Sequence, residues 1–265
     1  MEIILTVTLL GFPWDASSSY ARGPALAPSI IRSTIFSDAS SPYSVSGVDV
    51  RDAISAEDFA DLPSKPQECR DRITERISTA LTAKQKPLSL GGDHSVTYPI
   101  LRAIRDHHGA VNILHIDAHP DLYEEFEGDR YSHACPFARA LEDKCIGNLV
   151  QLGIRSASPE QRALAERHGV TMLGADEVEK VPYHLLTGPL YISIDLDGLD
   201  PAYAPGVSHP EPGGLSTRDV LGVLSKLTER PIGADVVELN PERDINLATA
   251  LVAGRLVKEL SALMA

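Results

Sequence analysis

The segment HIDAHPDLY, from His115 to Tyr123, constrains this chain more than any other stretch. It follows the apolar run AVNIL, which is typical of a buried strand. Ionisable side chains then recur at every second position, as His115, Asp117, His119 and Asp121. Alternate residues of an extended chain point to the same face, so these carboxylates would be crowded together. We therefore expect a positive charge to lie beside them.

Short β-rich runs alternate with stretches of helical period along the chain. Five runs predict strands: 87–90, 111–116, 149–154, 189–194 and 233–239. Between them, apolar residues recur at helical spacing, as Cys69, Ile73 and Ile77 do. Strands buried on both faces and joined by helices predict a three-layer α/β/α sandwich with a mostly parallel sheet of about eight strands.

No internal repeat or linker interrupts this alternation, so residues 1–265 are expected to form one domain. The apolar run within residues 1–14 has no basic segment before it. It predicts the first strand of the fold and not a signal peptide.

The charge balance limits the classes of partner. The chain has 37 acidic residues against 24 basic ones, for a net charge of −13. Such a surface repels nucleic acid and anionic membranes and suits a small cationic or neutral ligand. No run approaches the ~20 apolar residues that cross a bilayer. The three cysteines form no CxxC pair, which disfavours a thiolate zinc site. Their odd, sparse number argues against disulfides and predicts a cytoplasmic location.

Acids and histidines follow several of the predicted strands. Parallel sheets bind ligands at the carboxyl ends of their strands, where these side chains would meet. The candidate metal ligands are His94, Asp117, His119, Asp121, Asp195 and Asp197. Other polar residues nearby are interpreted as structural. His115 is expected to hydrogen-bond within the core, Asp93 to support a ligand or cap the next helix, and Asp200 to stabilise a turn.

The number of carboxylates indicates how many ions the set would hold. One divalent ion rarely needs four carboxylates, whereas the charge of two ions is balanced by four aspartates. An oxygen-rich, sulfur-free set favours two Mn²⁺ ions over Mg²⁺, Co²⁺, Ni²⁺ or Zn²⁺. Such paired ions lie roughly 3.5–4 Å apart and activate a shared water as a nucleophile.

Three of these motifs resemble the metal signatures of the ureohydrolases, the family of arginases and agmatinases. They are GGDHS at 91–95, DAHPD at 117–121 and SIDLDGLDP at 193–201. Further likeness extends over most of the chain. Segment 11–32 resembles the N-terminal segment of the family, and segments 131–142, 204–220 and 233–244 are closest to plant-type arginases. The resemblance implies a binuclear manganese site made by the six candidate ligands. It also implies a homotrimer or homohexamer.

The resemblance assigns roles to three residues. The proton-shuttling histidine of the family falls on His133, and the carboxylate that holds the guanidinium falls on Glu238. A carboxylate matches the fork of a guanidinium, and a histidine with a pKa near neutrality can move protons to a leaving amine. Asp121 would orient the hydroxide that attacks the guanidinium carbon, which releases urea and a primary amine. The alternatives are a salt bridge from Glu238 to Arg243 and an ordinary loop or N-cap role for His133.

The sequence indicates the type of reaction more closely than it indicates the substrate. Hydrolysis of L-arginine to L-ornithine and urea is the leading hypothesis, and hydrolysis of agmatine to putrescine and urea is the alternative. Other guanidino acids remain open. The acidic residues of the loop 124–129 would either attract an ammonium group at the distal end of the substrate or simply be solvated. Arg22 is a candidate partner for a substrate carboxylate, and Cys135 is expected to pack.

Two other classes of function are disfavoured. A two-metal phosphohydrolase would need a basic or glycine-rich cradle for its anion, and the acidic Glu238 stands there instead. An inactive binding protein would be expected to lack one or more ligands, and all six are present.

Overall fold

Eight strands form one sheet in the computed structural model, which describes residues 7–38, 40–59 and 61–265. The strands are β1 Val7–Gly11, β2 Ile54–Asp58, β3 Lys86–Leu90, β4 Val111–Ile116, β5 Ile146–Leu152, β6 Thr171–Leu173, β7 Leu190–Asp195 and β8 Gly233–Val237. Their order across the sheet is β2-β1-β3-β8-β7-β4-β5-β6, and every pair is parallel. Residues 1–6 of the predicted first strand lie outside the described part of the chain.

Helices cover both faces of the sheet. They are α1 Ala27–Ile35, α2 Val50–Ala53, α3 Pro66–Thr82, α4 Thr97–His108, α5 Pro136–Glu142, α6 Pro159–His168, α7 Thr217–Ser225 and α8 Ala248–Met264. One apolar core lies between the sheet and helices α1, α2, α7 and α8. A second lies between the sheet and helices α3 to α6. The predicted three-layer sandwich is confirmed, with a wholly parallel sheet.

Local sequence signals account for several of these elements. The strands β3, β7 and β8 are buried along their full length, which explains why apolar residues predominate in them. Helix α6 begins with a capping box between Ser158 and Gln161, and helix α7 begins with another between Ser216 and Asp219. Each box satisfies backbone N–H groups that the first turn of a helix leaves unpaired.

Two short strands, β2 and β6, were not predicted. Both lie at edges of the sheet. Strand β2, ISAED, alternates buried with exposed residues and carries two acids, and β6 has only three residues. Neither therefore has the apolar run that marks a central strand.

The strand order determines where the polar residues meet. Strands β3, β8, β7 and β4 are consecutive in the middle of the sheet. Because all of them run in the same direction, their carboxyl ends form one rim. Across the described part of the chain, no helix combines the length and apolarity that a membrane span requires.

Candidate active site

Each central strand carries polar residues to this rim. The turn after β3 holds His94, the segment 117–121 follows β4, and β8 is followed directly by Glu238. Strand β7 ends at Asp195, and the 3-10 turn after it carries Asp197. The structure thus brings together all six predicted ligands. Five are buried, and the side chain of His119 is 25% exposed.

The first half of the cluster surrounds His94. Its Nδ1 atom lies 2.9 Å from Oδ2 of Asp121, and 3.2 Å from Oδ2 of both Asp117 and Asp195. None of these contacts has hydrogen-bond geometry, so Nδ1 is a buried nitrogen without a hydrogen-bond partner. Three carboxylate oxygens and one imidazole nitrogen therefore converge on a common point.

The second half surrounds His119. Its Nδ1 atom lies 3.1 Å from Oδ2 of Asp197 and 3.5 Å from Oδ1 of Asp117. The other oxygen of Asp197 accepts a hydrogen bond from the backbone N–H of Ala118, at 3.1 Å. Asp117 is shared, because Oδ2 faces His94 and Oδ1 faces His119. The cluster therefore consists of two adjoining groups of donors joined by one carboxylate.

His115 is held within the core, in agreement with its structural interpretation. Its Nε2 atom lies 2.8 Å from Oδ2 of Asp117, and Nε2 of Gln151 lies 3.0 Å from its Nδ1. Burial lowers the pKa of His115 to about 4. A neutral His115 therefore donates to Asp117 through Nε2 and accepts from Gln151 at Nδ1.

Asp93 and Asp200 also have the structural contacts expected of them. Asp93 caps the turn after β3 by accepting from the backbone N–H of Ser95 at 3.1 Å, and it accepts from the backbone N–H of Ser17 at 2.9 Å. Asp200 accepts from the N–H groups of Ala202 and Gly213 at 2.9 and 2.7 Å. Both carboxylates therefore shape the loops around the rim.

The carboxylates of the cluster repel one another. Burial and the negative charge of Asp117 together raise the pKa of Asp121 to about 7. Burial and the neighbouring Asp197 raise the pKa of Asp195 well above its usual range. Asp117 is the exception, because the hydrogen bond from His115 and the charge of the ligand histidines outweigh burial and lower its pKa.

The two ligand histidines respond in the opposite sense. Burial opposes their charged forms, but the surrounding aspartates outweigh it and raise the pKa of His94 well above its ordinary value. Asp197 and Asp117 likewise raise the pKa of His119 to about 12 against the effect of burial. The site thus favours positive charge strongly. Divalent cations fit its donors, which are nitrogen and oxygen atoms without sulfur and include the unpartnered Nδ1 of His94.

A cavity of about 200 Å³ opens onto this cluster. Its lining residues are Ser19, His119, Asp121, Tyr123, Phe126, His133, Ala134, Ser156, Gln161, Asp195, Asp197, His209 and Glu238. This volume suits the planar head and aliphatic stem of a small substrate.

Asp121 and Glu238 both have left-handed backbone, with φ angles of 52° and 66°, which non-glycine residues rarely adopt.

Glu238 lines this cavity and has one carboxylate oxygen without a hydrogen-bond partner. Its Oε1 atom accepts a hydrogen bond from the backbone N–H of His94 at 2.8 Å, whereas Oε2 is buried without a hydrogen-bond partner. Burial, with the charge of Asp93, raises the pKa of Glu238 well above its usual range. No ion pair joins Glu238 to Arg243 among the described residues, so the alternative role of Glu238 as a structural salt-bridge partner is excluded. The free oxygen is suited to accept N–H groups from a cation.

His133 lies beside Glu238, with 3.8 Å between its Nδ1 and Oε1 of the glutamate. Its Nε2 atom lies 2.9 Å from Oγ of Ser19, and its ring stacks on that of His209. Burial, with the neighbouring His209, lowers the pKa of His133 to about 3. The expected pKa near neutrality is therefore wrong for this environment. An uncharged imidazole can still take a proton on one nitrogen and release one from the other.

The acidic loop does not present its acids to the cavity. Tyr123 and Phe126 line the cavity from this loop, while Glu124 is exposed and pairs with Arg167 at 3.3 Å. Cys135 is buried and packs with Sγ 3.7 Å from the carbonyl of Asp129. The suggested attraction of a distal ammonium by this loop therefore has no geometric support.

Arg22 is not among the residues that line the cavity. It donates to the backbone carbonyls of Asp15 and Ala16 and pairs with the carboxylate of Asp15 at 3.5 Å. Ser19 and His209 were not predicted, and the only signal for them in the sequence is their place in polar loops. The six ligands, His133 and Glu238 are close together, and their catalytic roles stay predictions.

Comparison with known proteins gives a consistent result. A model of the Arginase family matches residues 5–262. The mitochondrial arginase 1 of Arabidopsis thaliana is 43% identical, over 97% of this chain and 80% of its own length. The solved arginase of Medicago truncatula is 40% identical with a TM-score of 0.92, over 100% of this chain and 89% of that one. Proclavaminate amidinohydrolase of Streptomyces clavuligerus is 34% identical, over 96% of this chain and 86% of its own length.

The names of the plant relatives bear on location. Arginases of Arabidopsis thaliana, Oryza sativa and Medicago truncatula are named mitochondrial, or chloroplastic and mitochondrial. The predicted cytoplasmic location is contradicted by these names and is withdrawn. It rested on sparse cysteines, which indicate a reducing environment but do not tell one reducing compartment from another.

Proposed function

Because this chain belongs to the arginase family and is therefore a hydrolase of guanidino C–N bonds, we propose that it converts L-arginine to L-ornithine and urea. The proposal includes two Mn²⁺ ions per chain. It is supported by the 43% identity to a plant arginase and by the arrangement of the cavity. Small guanidino compounds are the substrates of the family as a whole.

The observation that carries the proposal is the free oxygen of Glu238. Oε2 is buried, faces no donor among the described residues and belongs to a residue that lines the cavity. A guanidinium would offer this oxygen a charge-assisted hydrogen bond from its planar fork. The bound cation would also compensate a carboxylate whose burial is otherwise costly.

The two ions would be held by the six clustered donors. His94, Asp121 and Asp195 belong to one group, His119 and Asp197 to the other, and Asp117 lies between them. Bound divalent cations supply Lewis-acid activation that makes a water nucleophilic near neutral pH. Mn²⁺ is favoured because four of the six donors are carboxylates and none is a thiolate.

Three residues around the cavity would orient the water, bind the guanidinium and transfer a proton. Asp121 reaches the cavity through its left-handed backbone and would orient the attacking water. Glu238 would hold the guanidinium with its carbon facing the cluster. His133, which is uncharged, would take a proton during the attack and deliver it to the leaving amine, since protonation makes the amine a better leaving group.

The cavity lining supports arginine over agmatine. Apart from Glu238 and the ligand aspartates, the lining residues carry no carboxylate, and Tyr123, Phe126, Ser156 and Gln161 are uncharged. The distal ammonium of agmatine would find no acidic partner there. The distal end of arginine carries an ammonium and a carboxylate together and is neutral overall, which suits an uncharged wall.

We also infer that residues 1–265 form a single ureohydrolase domain, which is supported by the continuity of the one sheet across the described chain. The homotrimer or homohexamer stays a prediction. Light scattering on the purified protein would measure the mass of the assembly directly.

Urea release is the test of this function. The protein loaded with Mn²⁺ would be assayed with L-arginine, agmatine and 4-guanidinobutyrate, with kcat/KM determined for each. We expect the highest kcat/KM for L-arginine. A preference for agmatine of roughly a hundredfold would overturn the choice of substrate. Release of phosphate from simple esters, without urea from any guanidine, would overturn the reaction class.

A further inference from the structure

His133 is held by contacts from loops that are distant in the sequence. Its Nε2 atom lies 2.9 Å from Oγ of Ser19, which belongs to the loop after β1. Its ring stacks on His209, which belongs to the loop between β7 and α7, with centroids 5.0 Å apart and planes 15° from parallel. Phe126 meets its ring edge-on, with centroids 6.3 Å apart and an angle of 85°.

The ring of His209 contacts three other aromatic rings. Besides His133, they are Tyr20, with centroids 5.9 Å apart, and His119, which meets it edge-on with centroids 6.3 Å apart. Such separations are typical of favourable aromatic contacts. His209 makes no ion pair and no side-chain hydrogen bond among the described residues. Its contact with His133 is therefore one of ring faces.

These contacts fix two independent features of His133. The stacking of His209 limits the plane of the ring, because any large rotation would drive the two rings together. The hydroxyl of Ser19 limits which edge of the ring faces outward, and it can donate to or accept from Nε2 in either tautomer. The remaining nitrogen, Nδ1, is then directed at Glu238, 3.8 Å away.

We propose that His209 is a positioning residue of the active site, and that it acts with Ser19 by holding the imidazole of His133 in line with Glu238 and the substrate. The inference rests on the proposed role of His133 in proton transfer. His209 itself need not touch the reacting atoms. Displacement of a catalytic group by about 1 Å can slow a reaction roughly a hundredfold, so loss of the contacts that position His133 should have a measurable effect.

The test compares His209→Ala with His209→Phe in the enzyme loaded with Mn²⁺. Removing the ring in His209→Ala is expected to lower kcat roughly 10- to 100-fold with little change in KM. His209→Phe keeps a flat ring face and is expected to lie closer to the wild type. The exposed, distant His184→Ala is the control and should match the wild type. Equal activity of His209→Ala and wild type would overturn the inference.

A double-mutant cycle separates positioning from other effects. In the His133→Ala background, His209→Ala should cause no further loss of kcat, because the group that it positions is gone. Losses that multiply in the double variant would overturn the inference and indicate a separate role for His209. Full activity of His133→Ala alone would instead refute the proposed function of His133. The two failures are thus distinguishable.

A structural measurement completes the test without an assay. A crystal structure of His209→Ala is expected to show the ring of His133 rotated or in more than one orientation. Ser19→Ala should loosen it in the same way. A single, unchanged orientation of His133 in both variants would overturn the proposed positioning role of His209 and Ser19.

Discussion

His94 is connected to the buried Asp235 through the hydroxyl of Ser193. Oγ of Ser193 donates to Oδ1 of Asp235 at 2.6 Å and lies 3.0 Å from Nε2 of His94. With its own proton committed to Asp235, the hydroxyl accepts the proton of Nε2. Nδ1 is therefore the nitrogen that His94 would offer to a metal ion, among the three aspartates that surround it.

This relay leads to a prediction for Ser193→Ala. Loss of the acceptor frees the tautomer and ring orientation of His94, so metal affinity should fall roughly 10- to 100-fold. Titration of the metal-stripped protein with Mn²⁺ would measure the change. Ser225→Ala, on the exposed end of α7, is the matched control. An unchanged dissociation constant in Ser193→Ala would contradict the orienting role.

His119 and His133, which both line the cavity, should differ in what they control. His119→Asn is expected to lose most of the activity and part of the bound metal, because an imidazole ligand is replaced by a weaker one. His133→Ala should keep its full metal content and turn over more slowly. Metal analysis beside urea assays would separate these outcomes. Metal loss in His133→Ala would mean that His133 is a ligand.

Glu238→Gln is expected to lower kcat/KM for the guanidino substrate. The amide keeps the size of the side chain but removes the charge that a guanidinium would meet, so kcat/KM should fall roughly 10- to 100-fold. Metal content should be unaffected. Glu242→Gln, an exposed neighbour, serves as the control. Unchanged kcat/KM in Glu238→Gln would exclude it as the guanidinium partner.

Metal binding should release protons. In metal-stripped protein the aspartates overcome the effect of burial and raise the pKa of His94 and of His119, the latter to about 12. Both imidazoles are therefore protonated near neutral pH, and a metal must displace one proton from each. Affinity for Mn²⁺ should rise with pH by up to about tenfold per unit for each proton released. Calorimetry in buffers of different ionisation enthalpy measures this release, and its absence would refute the charge assignment.

Gly92 is expected to tolerate no side chain. A Cβ atom there would lie 1.7 Å from the carbonyl oxygen of Trp14, which accepts from the N–H of Asp93. Gly92→Ala should therefore lower the free energy of unfolding by more than ~2 kcal/mol and disturb the turn that carries the ligand after β3. Thermal melts and urea assays would show both effects.

The control for this substitution is Gly222→Ala. It lies inside α7, where a Cβ atom would meet nothing within 4 Å. Alanine there should be neutral or stabilising by up to ~1 kcal/mol, because it favours the helix. Equal stability of the Gly92→Ala and Gly222→Ala proteins would contradict the close approach at Gly92.

Much of the site could be predicted because its determinants are local. A strand is recognisable from its own apolar run, and Asp117 and Asp195 stand at the ends of such runs. In a parallel sheet, the ends of neighbouring strands must meet. Short sequence motifs were therefore sufficient to bring the donors together without any knowledge of the loops.

The rest depended on contacts between distant segments. Ser19 and His133 are 114 positions apart, and no local pattern indicates that their loops meet. The stacking of His209 on His133 is of the same kind. The pKa of His133 could not be predicted either, because burial by these loops is what lowers it.

The left-handed backbone of Asp121 and Glu238 has a consequence for engineering heat tolerance. Such a conformation costs a non-glycine residue roughly 1–2 kcal/mol, which glycine would relieve. Lys84 and Lys144 have the same conformation, with φ angles of 59° and 56°, at exposed positions after α3 and α5. Glycine at either lysine would relieve strain far from the chemistry, whereas at the two acids it would delete the carboxylates. A more robust version of this enzyme would therefore be sought at the helix ends, with the rim left as it is.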